Sequence, residues 1–308
     1  MIKKALSFLL VLVLCVFTLS STMADGAIAV SFNPETGVME EVFASGTETE
    51  PQTVFAGHPG DGEPEDTEDE DPFELAMGGT LNDGMEVSEQ VIFGSDDRII
   101  LKQQRETFPY RAVVYLEIKF PKGSVYGTGF MIGPHYVLTN GHCVYSADKG
   151  GWAKSITVYP GRSRNLKPYG STTSVWLSCM NDWYNSEDFS CDLGLIETKA
   201  AIGNKVGWFG YFYPSDDDLY KWATLIGYGG DTGYMYESSG YLNGTDYAGK
   251  IKYAIDTLPG SSGSPIMMNY NGEAGYAIGV NNSSNGIANM GVRFTQKTVD
   301  FFKEYHGK

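Results

Sequence analysis

Short apolar runs recur along the chain from Val91 onward, and most of them are rich in β-branched and aromatic residues. Gly, Pro, Asn and Asp interrupt the runs roughly every 8 to 12 residues, a spacing typical of an antiparallel barrel or sandwich. Helical apolar spacing is convincing only after Thr295, which is placed to cap a helix whose Val299, Phe301 and Phe302 face inward. The pattern therefore predicts an all-β protein with one short C-terminal helix. The clearest runs are 111–120, 127–133, 136–140, 155–161, 193–197, 223–229, 250–256, 264–268 and 276–280.

The N-terminal residues have the pattern of a secretory signal. Lys3 and Lys4 precede an unbroken apolar run at 5–17, and a short polar stretch leads to the small residue Ala24. The run is shorter than the roughly 20 apolar residues of a membrane span, and no second run of that length follows it. Residues 1–24 are therefore predicted to be a signal peptide, and the mature protein is predicted to be extracellular with no membrane contact.

The formal charge of −16 is unevenly distributed. Residues 25–89 contain 18 acidic and no basic residues, whereas residues 91–308 contain 20 of each sign. The acidic stretch has four Phe and no Tyr or Trp, so it has little apolar surface to offset its ordering entropy. We interpret residues 25–90 as an acidic, largely disordered pro-segment, with a plain acidic linker as the alternative. The charge distribution excludes a basic nucleic-acid-binding surface.

Three short motifs contain residues suited to nucleophilic catalysis. LTNGHCVYS contains His142, SCDLGLIE contains Asp192, and DTLPGSSGSPIMM contains Ser262. A serine hydroxyl is a weak nucleophile unless an imidazole takes its proton, and a carboxylate must orient that imidazole. The chain order His, Asp, Ser is that of chymotrypsin-like proteases and differs from the orders in α/β-hydrolases and subtilisins. The motifs therefore predict a serine hydrolase.

Alternatives exist for two of these residues. Asp182 and Asp188, in the preceding loop, are other candidates for the carboxylate, but Asp192 directly abuts an apolar run and is preferred. A lone histidine can also be a core residue or a metal ligand. No metal site is predicted, because zinc needs three or four ligands and no other histidine has ligand spacing with His142. The other histidines are His58, which has no evident partner in its Gly- and Pro-rich loop, His135 and His306.

Further motifs extend across residues 91–308: VIFGSDDR, FPYRAVVYL, GTGFMIGPHYVLTNGHCVY, VYPGR, CDLGLIE, IGNKVGWFGY and IDTLPGSSGSP. In this order, they resemble the glutamyl endopeptidase branch of the chymotrypsin-fold serine proteases. The resemblance implies two antiparallel six-stranded β-barrels, the first at 91–200 with His142 and Asp192. The second, at 201–308, would contain Ser262 and the C-terminal helix.

The resemblance also implies roles for individual residues. Ser262 would be the nucleophile, and the backbone N–H groups of Gly260 and Ser262 would form the oxyanion hole. The family reads a substrate Glu carboxylate with the mature N-terminal ammonium, a Thr or Ser five residues before the nucleophile, and a His. Here Val91 and Thr257 fill the first two positions, whereas Asn281 replaces the His, so acid selectivity should weaken or shift. Asp256 is a fourth candidate for the pocket, because an acid six residues before the nucleophile selects Lys or Arg in trypsin-like enzymes.

The predicted function is a secreted, monomeric serine endopeptidase that needs no cofactor, acts on protein or peptide substrates and prefers an acidic residue before the cleaved bond. Two alternatives are a protease of basic or neutral specificity and a catalytically silent binding module of the same fold. Two local questions stay open at this stage. The mature chain has three cysteines, so one disulfide could pair Cys191 with Cys143 or Cys179. The acids at 216–218 lack the alternating spacing of a calcium loop and are interpreted as a solvated turn.

Overall fold

The computed structural model describes residues 26–44, 53–64, 91–101, 104–230, 232–305 and 307. The predicted signal peptide, 1–24, and His306 lie outside these residues. Strands dominate the described chain, in the order β1 Ala27–Phe32, β2 Met39–Phe43, β3 Val54–Phe55, β4 Ile99–Ile100, β5 Val113–Phe120, β6 Gly123–Met131, β7 Tyr136–Thr139, β8 Tyr145–Ser146, β9 Gly151–Trp152, β10 Ser155–Pro160, β11 Thr172–Met180, β12 Gly194–Thr198, β13 Gly210–Phe212, β14 Trp222–Tyr228, β15 Met235–Thr245, β16 Ile251–Tyr253, β17 Pro265–Tyr270, β18 Glu273–Ser284 and β19 Asn289–Arg293.

The helices in the described chain are short. The α-helices are α1 Gly141–Val144, α2 Asn181–Ser186, α3 Gly203–Val206 and α4 Gln296–Phe302. Single 3₁₀ turns lie at Gln104–Glu106, Tyr110–Ala112, Phe189–Cys191, Asp217–Tyr220 and Lys303–Tyr305. Helix α4 confirms the predicted C-terminal helix: the Thr295 hydroxyl takes part in a capping box with Thr298, and Val299, Phe301 and Phe302 are buried.

Six strands close into each of two barrels. In the first, the order is β10-β5-β6-β7-β12-β11, and pairing of β10 with β11 closes the sheet. In the second, the order is β17-β14-β15-β16-β19-β18, closed by β17 and β18. All neighbours in these two rings are antiparallel. Closure leaves few of the free sheet edges that would otherwise need protection. The predicted architecture of two six-stranded antiparallel barrels is therefore confirmed.

The two barrels pack directly against each other. Phe209, in the connection between them, contacts the ring of Phe130 on β6 with the ring centroids 5.1 Å apart. Both side chains are fully buried in one apolar core. Tyr211 on β13 packs on Phe302 of α4, with centroids 4.9 Å apart. Phe209 therefore joins the two barrels through one shared apolar core.

The prediction of disorder for residues 25–90 is wrong for the parts that the structure describes. Strands β1 and β2 form a hairpin that extends the first barrel through β11, and β3 pairs with β13 beside the second. His58, which the sequence left without a partner, stacks on Trp208 with ring centroids 4.4 Å apart. The composition argument fails because these short strands bury their few apolar residues in a core built by the remainder of the chain. The acidic run at 65–71 lies outside the described residues.

Candidate active site

His142 lies on α1, a single helical turn that directly follows strand β7. The turn begins at Gly141, where an added Cβ would lie 2.6 Å from the indole ring of Trp183. Only glycine therefore allows the helix to pack this closely against the tryptophan. The His142 side chain is 28% exposed, so one edge of the imidazole is accessible from solvent.

Asp192 binds His142 at two points. Its Oδ2 lies 2.8 Å from the imidazole Nδ1 and its Oδ1 accepts the His142 backbone N–H at 2.9 Å. The Asn140 amide holds the Asp192 backbone carbonyl at 3.0 Å. The Asp192 side chain is fully buried. These bonds fix both the carboxylate and the ring plane of the imidazole.

The two alternative carboxylates have other roles. Asp182 forms an ion pair with Lys297, and Asp188 accepts the Ser190 backbone N–H at 2.8 Å to cap the 3₁₀ turn before Asp192. The structure therefore brings His142 together with Asp192 and with neither alternative.

The pKa of His142 reflects two opposing influences. Burial alone lowers the pKa, because it disfavours the charged imidazolium. The negative charge and hydrogen bond of Asp192 act in the other direction, with a smaller contribution from neighbouring Cys143. The net result is a pKa well above the ordinary value of 6.5. Asp192 thus stabilises the protonated form that a general base must reach.

Ser262 lies in a tight turn that depends on two glycines. Gly260 has φ +102° and Gly263 has φ +92°, both in the region that favours glycine. An added Cβ at Gly260 would lie 2.7 Å from the Tyr126 ring, and one at Gly263 would lie 1.8 Å from the Thr128 carbonyl oxygen. Both positions therefore exclude any side chain. Ser262 itself is partly buried.

The turn lies next to the helix that contains His142. Gly127 on β6 marks the contact, since a Cβ there would lie 3.1 Å from the Cys143 sulfur and 3.5 Å from the Ser262 carbonyl oxygen. Cys143 is the residue after His142. The helix that contains His142 and the turn that contains Ser262 therefore both lie against Gly127, at the junction of the two barrels.

Sequence reasoning missed Thr128, which joins the barrels at this point. Its backbone N–H donates to the Ser262 carbonyl at 2.8 Å and its hydroxyl donates to the Gly260 carbonyl at 2.8 Å. The same hydroxyl accepts the Tyr228 backbone N–H at 3.0 Å. The local sequence GTGF signals a β-strand and gives no indication of a partner so distant along the chain.

Asn282 was also missed. Its side-chain amide donates to the Phe189 carbonyl at 2.9 Å and lies 3.4 Å from Asp192 Oδ2. It therefore contacts the same carboxylate oxygen that faces His142. In the sequence, only its position directly after Asn281, a candidate pocket residue, could have indicated a role at the site.

Ser261 is buried in a small uncharged environment. Its hydroxyl donates to the Leu258 carbonyl at 2.6 Å and forms a short hydrogen bond with the Tyr236 hydroxyl. The side chain is fully buried. This position therefore offers no negative charge to an N-terminal ammonium.

Val91 lies beside residues of the candidate specificity pocket. Its backbone N donates to Asn289 Oδ1 at 3.0 Å, and its carbonyl accepts the Asn289 amide at 2.8 Å. The Thr257 backbone N–H is 3.4 Å from the same carbonyl. The Thr257 hydroxyl is buried and has no hydrogen-bond partner among the described residues. The Thr257 hydroxyl is therefore free to bond with a group that enters the site.

Asn281 lies against the turn that contains Ser262. Its amide N–H donates to the Ser261 carbonyl at 2.9 Å, and its Oδ1 accepts the Tyr253 hydroxyl at 2.7 Å. The side chain is fully buried. These bonds use the amide oxygen and one of the two amide N–H groups, so the residue first supports the turn and has one donor left for another role.

The assignment of Asp256 to the substrate pocket is wrong. Its carboxylate accepts the Phe93 backbone N–H at 2.7 Å and the Asp97 backbone N–H at 3.1 Å. The side chain is 2% exposed, and burial raises its pKa against the opposing effect of these two bonds. Asp256 therefore anchors residues 93–97, and the sequence could not show in which direction the side chain points.

A surface recess of about 460 Å³ extends the site along β18. It lies between the 3₁₀ turn after Asp188 and the turn that begins at Asp246, and Ser283 and Ser284 line its floor. Glu187, Asp188 and Asp246 outnumber Lys250 among the charged residues that line the recess. Asn282 directly precedes Ser283 on β18, so the recess lies next to it.

Other candidate features have structural roles. The three cysteines, Cys143, Cys179 and Cys191, are buried free thiols, so the described chain contains neither of the disulfides considered. In the 216–218 run, Asp216 pairs with Arg293 at 2.8 Å and Asp218 with Lys221 at 2.7 Å.

The described residues contain neither a metal-binding cluster nor a membrane-spanning helix. No group of three or more His, Cys, Asp or Glu residues there could hold a metal ion. The helices of the same residues are all too short or too polar to cross a membrane.

Comparisons with known proteins give a consistent result. Residues 127–280 match the family model for the trypsin-like peptidase domain. A glutamyl endopeptidase of Bacillus licheniformis is 36% identical over 218 residues, which cover 68% of this chain and 67% of the relative. A Bacillus subtilis protein named extracellular metalloprotease is 36% identical over 209 residues, 66% of each chain. The matched region thus spans about two thirds of the length of these relatives.

A solved structure is similar over a larger share of its length. The structure of a Glu endopeptidase in complex with MPD is 29% identical, with a TM-score of 0.62, and the match covers 70% of this chain and 99% of that chain. The similarity extends over both barrels. The resemblance inferred from the motifs is confirmed by these comparisons.

Proposed function

Because the chain belongs to the trypsin-like serine peptidases, we propose that it is a secreted endopeptidase that cleaves protein or peptide chains after acidic residues. The observation that carries this proposal is the two-point contact between Asp192 and His142, 2.8 Å at the imidazole Nδ1 and 2.9 Å at the backbone N. An ionised carboxylate can only accept hydrogen bonds, so Nδ1 carries a proton. In the neutral ring, Nε2 is then the acceptor, which is the form a general base requires.

The reaction begins with transfer of the Ser262 hydroxyl proton to His142 Nε2. The Ser262 oxygen attacks the scissile carbonyl carbon, and Asp192 stabilises the imidazolium that forms. The imidazolium then donates its proton to the departing amine, which leaves an acyl group on Ser262. A water molecule repeats the cycle with His142 as base, and its attack releases the carboxylic acid and restores the serine.

The N–H groups of Gly260 and Ser262 stabilise the oxyanion of both tetrahedral intermediates. The glycine at 260 supports this role, because its φ of +102° and the nearby Tyr126 ring exclude a side chain. Thr128 holds the carbonyls of the same two residues from the other barrel. An oxyanion donor fixed in this way contributes roughly 3 kcal/mol to transition-state stabilisation.

Acid specificity arises where Val91 meets Thr257 and Asn289. Cleavage of the bond before Val91 converts its backbone N, now an amide 3.0 Å from Asn289 Oδ1, into an ammonium. Ser261 offers that ammonium no charge. The ammonium and the Thr257 hydroxyl together bind a substrate carboxylate, with a neutral N–H from Asn281 as the third donor. We expect preference for Glu, then Asp or Gln.

The same proposal includes the organisation of the chain. Residues 1–24 act as the signal peptide, cleavage before Val91 cuts the bond between 25–90 and the catalytic part, and the enzyme acts as a monomer in the sense of one copy of the precursor. The acidic recess beside Asn282 receives substrate residues that precede the one next to the cleaved bond. N-terminal sequencing of secreted protein checks the cleavage position.

Labelling by a fluorophosphonate probe tests the proposed activity. The probe reacts only with an activated serine, and it should modify wild-type protein at Ser262 and leave Ser262→Ala unlabelled. Peptide hydrolysis should persist in the presence of a metal chelator. Absence of labelling under conditions that modify a control protease would support the non-catalytic binding module. Loss of hydrolysis with the chelator alone would support the metal-dependent activity suggested by the name of the B. subtilis relative.

A further inference from the structure

Two parts of the acidic segment are ordered against the barrels. We call residues 26–44 and 53–64 together the N-terminal strap. The first part forms β1 and β2 beside the first barrel, and the second contains β3 beside the second. The strap contacts the barrels through backbone pairing, burial of apolar side chains and hydrogen bonds from Arg111 to three strap carbonyls. These are the same kinds of interaction that hold the barrels together.

Strand β1 covers an edge that the first barrel leaves open. Within β11, Thr172 and Thr173 pair with β10 to close the barrel, whereas Leu177 to Met180 lie beyond the end of that pairing. Strand β1 pairs with these four residues in antiparallel register, with Val30 opposite Cys179. Without β1, this edge would present unpaired backbone N–H and C=O groups.

The side chains of β1 are part of the core. Ala29 is fully buried and Val30 is 1% exposed within the apolar cluster of the first barrel. The Ser31 hydroxyl lies 2.7 Å from the Ser178 hydroxyl, and Phe32 stacks on Trp152 with centroids 5.4 Å apart. Removal of β1 would therefore open a gap in the core as well as an edge.

The second part of the strap binds the connection between the barrels. His58 and Trp208 exchange two backbone hydrogen bonds of 2.8 Å, and their rings stack. Gly57 and Gly60 approach the 207–210 backbone so closely that an added Cβ would lie 2.6 Å and 2.3 Å from its nearest atoms. The second part of the strap therefore packs directly against the 207–210 backbone, with no space for a side chain at either glycine.

Arg111 provides a charged attachment point. Its guanidinium donates to the carbonyls of Pro59 at 2.7 Å, Gly60 at 3.2 Å and Gly62 at 2.9 Å. All three acceptors belong to the strap, and Arg111 precedes β5 of the first barrel. None of the contacts described for the strap involves His142, Asp192 or Ser262.

We propose that the strap stays bound after the bond before Val91 is cut, as a noncovalent, strand-donating subunit of the active enzyme. The proposal rests on the cleavage proposed above. Cleavage there breaks none of the contacts just described, because the bond lies outside both parts of the strap. The partner that this surface of the barrels fits is therefore the chain's own N-terminal segment, and the mature enzyme consists of two chains.

The test uses the full chain with Ser262→Ala, so that its outcome does not depend on activity. Val87→Ile, Ser88→Glu, Glu89→Gly and Gln90→Arg create a factor Xa site that ends before Val91. After cutting, denaturing electrophoresis should show two chains, whereas gel filtration at about 1 µM should show one complex of the mass of a single precursor. Amide hydrogen exchange at 177–180 should change less than about threefold on cutting.

Matched substitutions identify the contacts responsible. Val30→Asp buries an unpaired carboxylate and should release the strap after cutting, whereas Val38→Asp, at a position 46% exposed, should not. Arg111→Gln should weaken retention without this core defect, and it covers the case in which Val30→Asp does not fold.

Two results would overturn the proposal: separate elution of the strap from the cut chain with loss of protection at 177–180, or a complex of twice the mass from strand exchange between copies. Wild-type protein is then sequenced for cleavage at Val91. If wild-type protein is not cleaved before Val91, the proposed processing is wrong, but the result for strap binding in the cut variant still holds.

Discussion

The backbone N–H of Thr128 donates to the carbonyl of Ser262 at 2.8 Å, and this bond links the first barrel to the Ser262 turn of the second. The Thr128 hydroxyl adds a bond to the Gly260 carbonyl and accepts one from the Tyr228 N–H. Position 128 therefore fixes the turn that contains Ser262 against the first barrel. The geometry of the site depends on the contact between barrels as much as on the turn itself.

Thr128→Val should lower kcat/KM about tenfold to a hundredfold, because a buried group left without its partner costs roughly 1 to 3 kcal/mol. Thr128→Ser keeps the hydroxyl and is expected to retain most activity. Steady-state kinetics of both variants measures the difference. Equal activity in Thr128→Val and wild type would show that the hydroxyl does not position the turn.

Ser262→Ala should reduce peptide hydrolysis by on the order of 10⁶-fold while secretion and folding persist. Ser264→Ala should retain activity, because the Ser264 hydroxyl is buried without a hydrogen-bond partner among the described residues. Turnover of a chromogenic peptide distinguishes the two variants. Equal loss in both would mean that the nucleophile is assigned to the wrong position of the turn.

The pH profile should report the raised pKa of His142. The general base must be neutral, so kcat/KM should rise with pH through the pKa of His142, at a midpoint above 6.5. Asp192→Asn removes the charge that raises this pKa and should move the midpoint to lower pH, with a fall in kcat on the order of 10⁴-fold. A midpoint that stays unchanged in Asp192→Asn would argue against the role of the carboxylate.

Asp256→Ala tests the correction to the pocket. The Phe93 and Asp97 N–H groups lose their acceptor, so the free energy of unfolding should fall by about 2 kcal/mol. The cleaved bonds, mapped by mass spectrometry on a proteome-derived peptide mixture, should remain those after acidic residues. If the wild-type enzyme cleaves mainly after Lys or Arg and Asp256→Ala loses this preference, Asp256 is part of the substrate pocket.

Asn281→His should sharpen the preference for Glu over Gln by tenfold or more. The histidine adds a potentially cationic donor, and one charge-assisted hydrogen bond contributes roughly 1.5 to 3 kcal/mol before desolvation is deducted. Because Asn281 also holds the Ser261 carbonyl, Asn281→Ala serves as the control for loss of support to the turn. The ratio of kcat/KM for Glu and Gln peptides should rise only in Asn281→His.

The local motifs were sufficient for some features of the molecule. The sequence predicted the capped helix after Thr295, because cap and apolar spacing lie within one short segment. The sequence also paired His142 with Asp192, which the structure brings into hydrogen-bond contact. The alternation of apolar and turn residues, together with the resemblance, predicted both barrels.

Features that depend on distant pairing were not predictable in this way. Nothing near Thr128 or Asn282 in the sequence identifies their partners, which lie on other strands. The direction of the Asp256 side chain depends on where residues 93–97 run. The ordering of β1 depends on an open edge of β11, which appears only when the barrel has closed. Composition alone therefore assigned that strand to disorder.

The buried, uncharged environment of Ser261 has a consequence for latency. An enzyme whose new N-terminus must pair with an acid at this position is catalytically misassembled until it is processed. Under the function proposed above, processing here completes only the recognition of a substrate side chain. The unprocessed form should therefore lack the preference for acidic residues but still have a reactive Ser262. Small uncharged acylating agents should inactivate precursor and mature enzyme at similar rates. Active-site titration with such agents will count both forms.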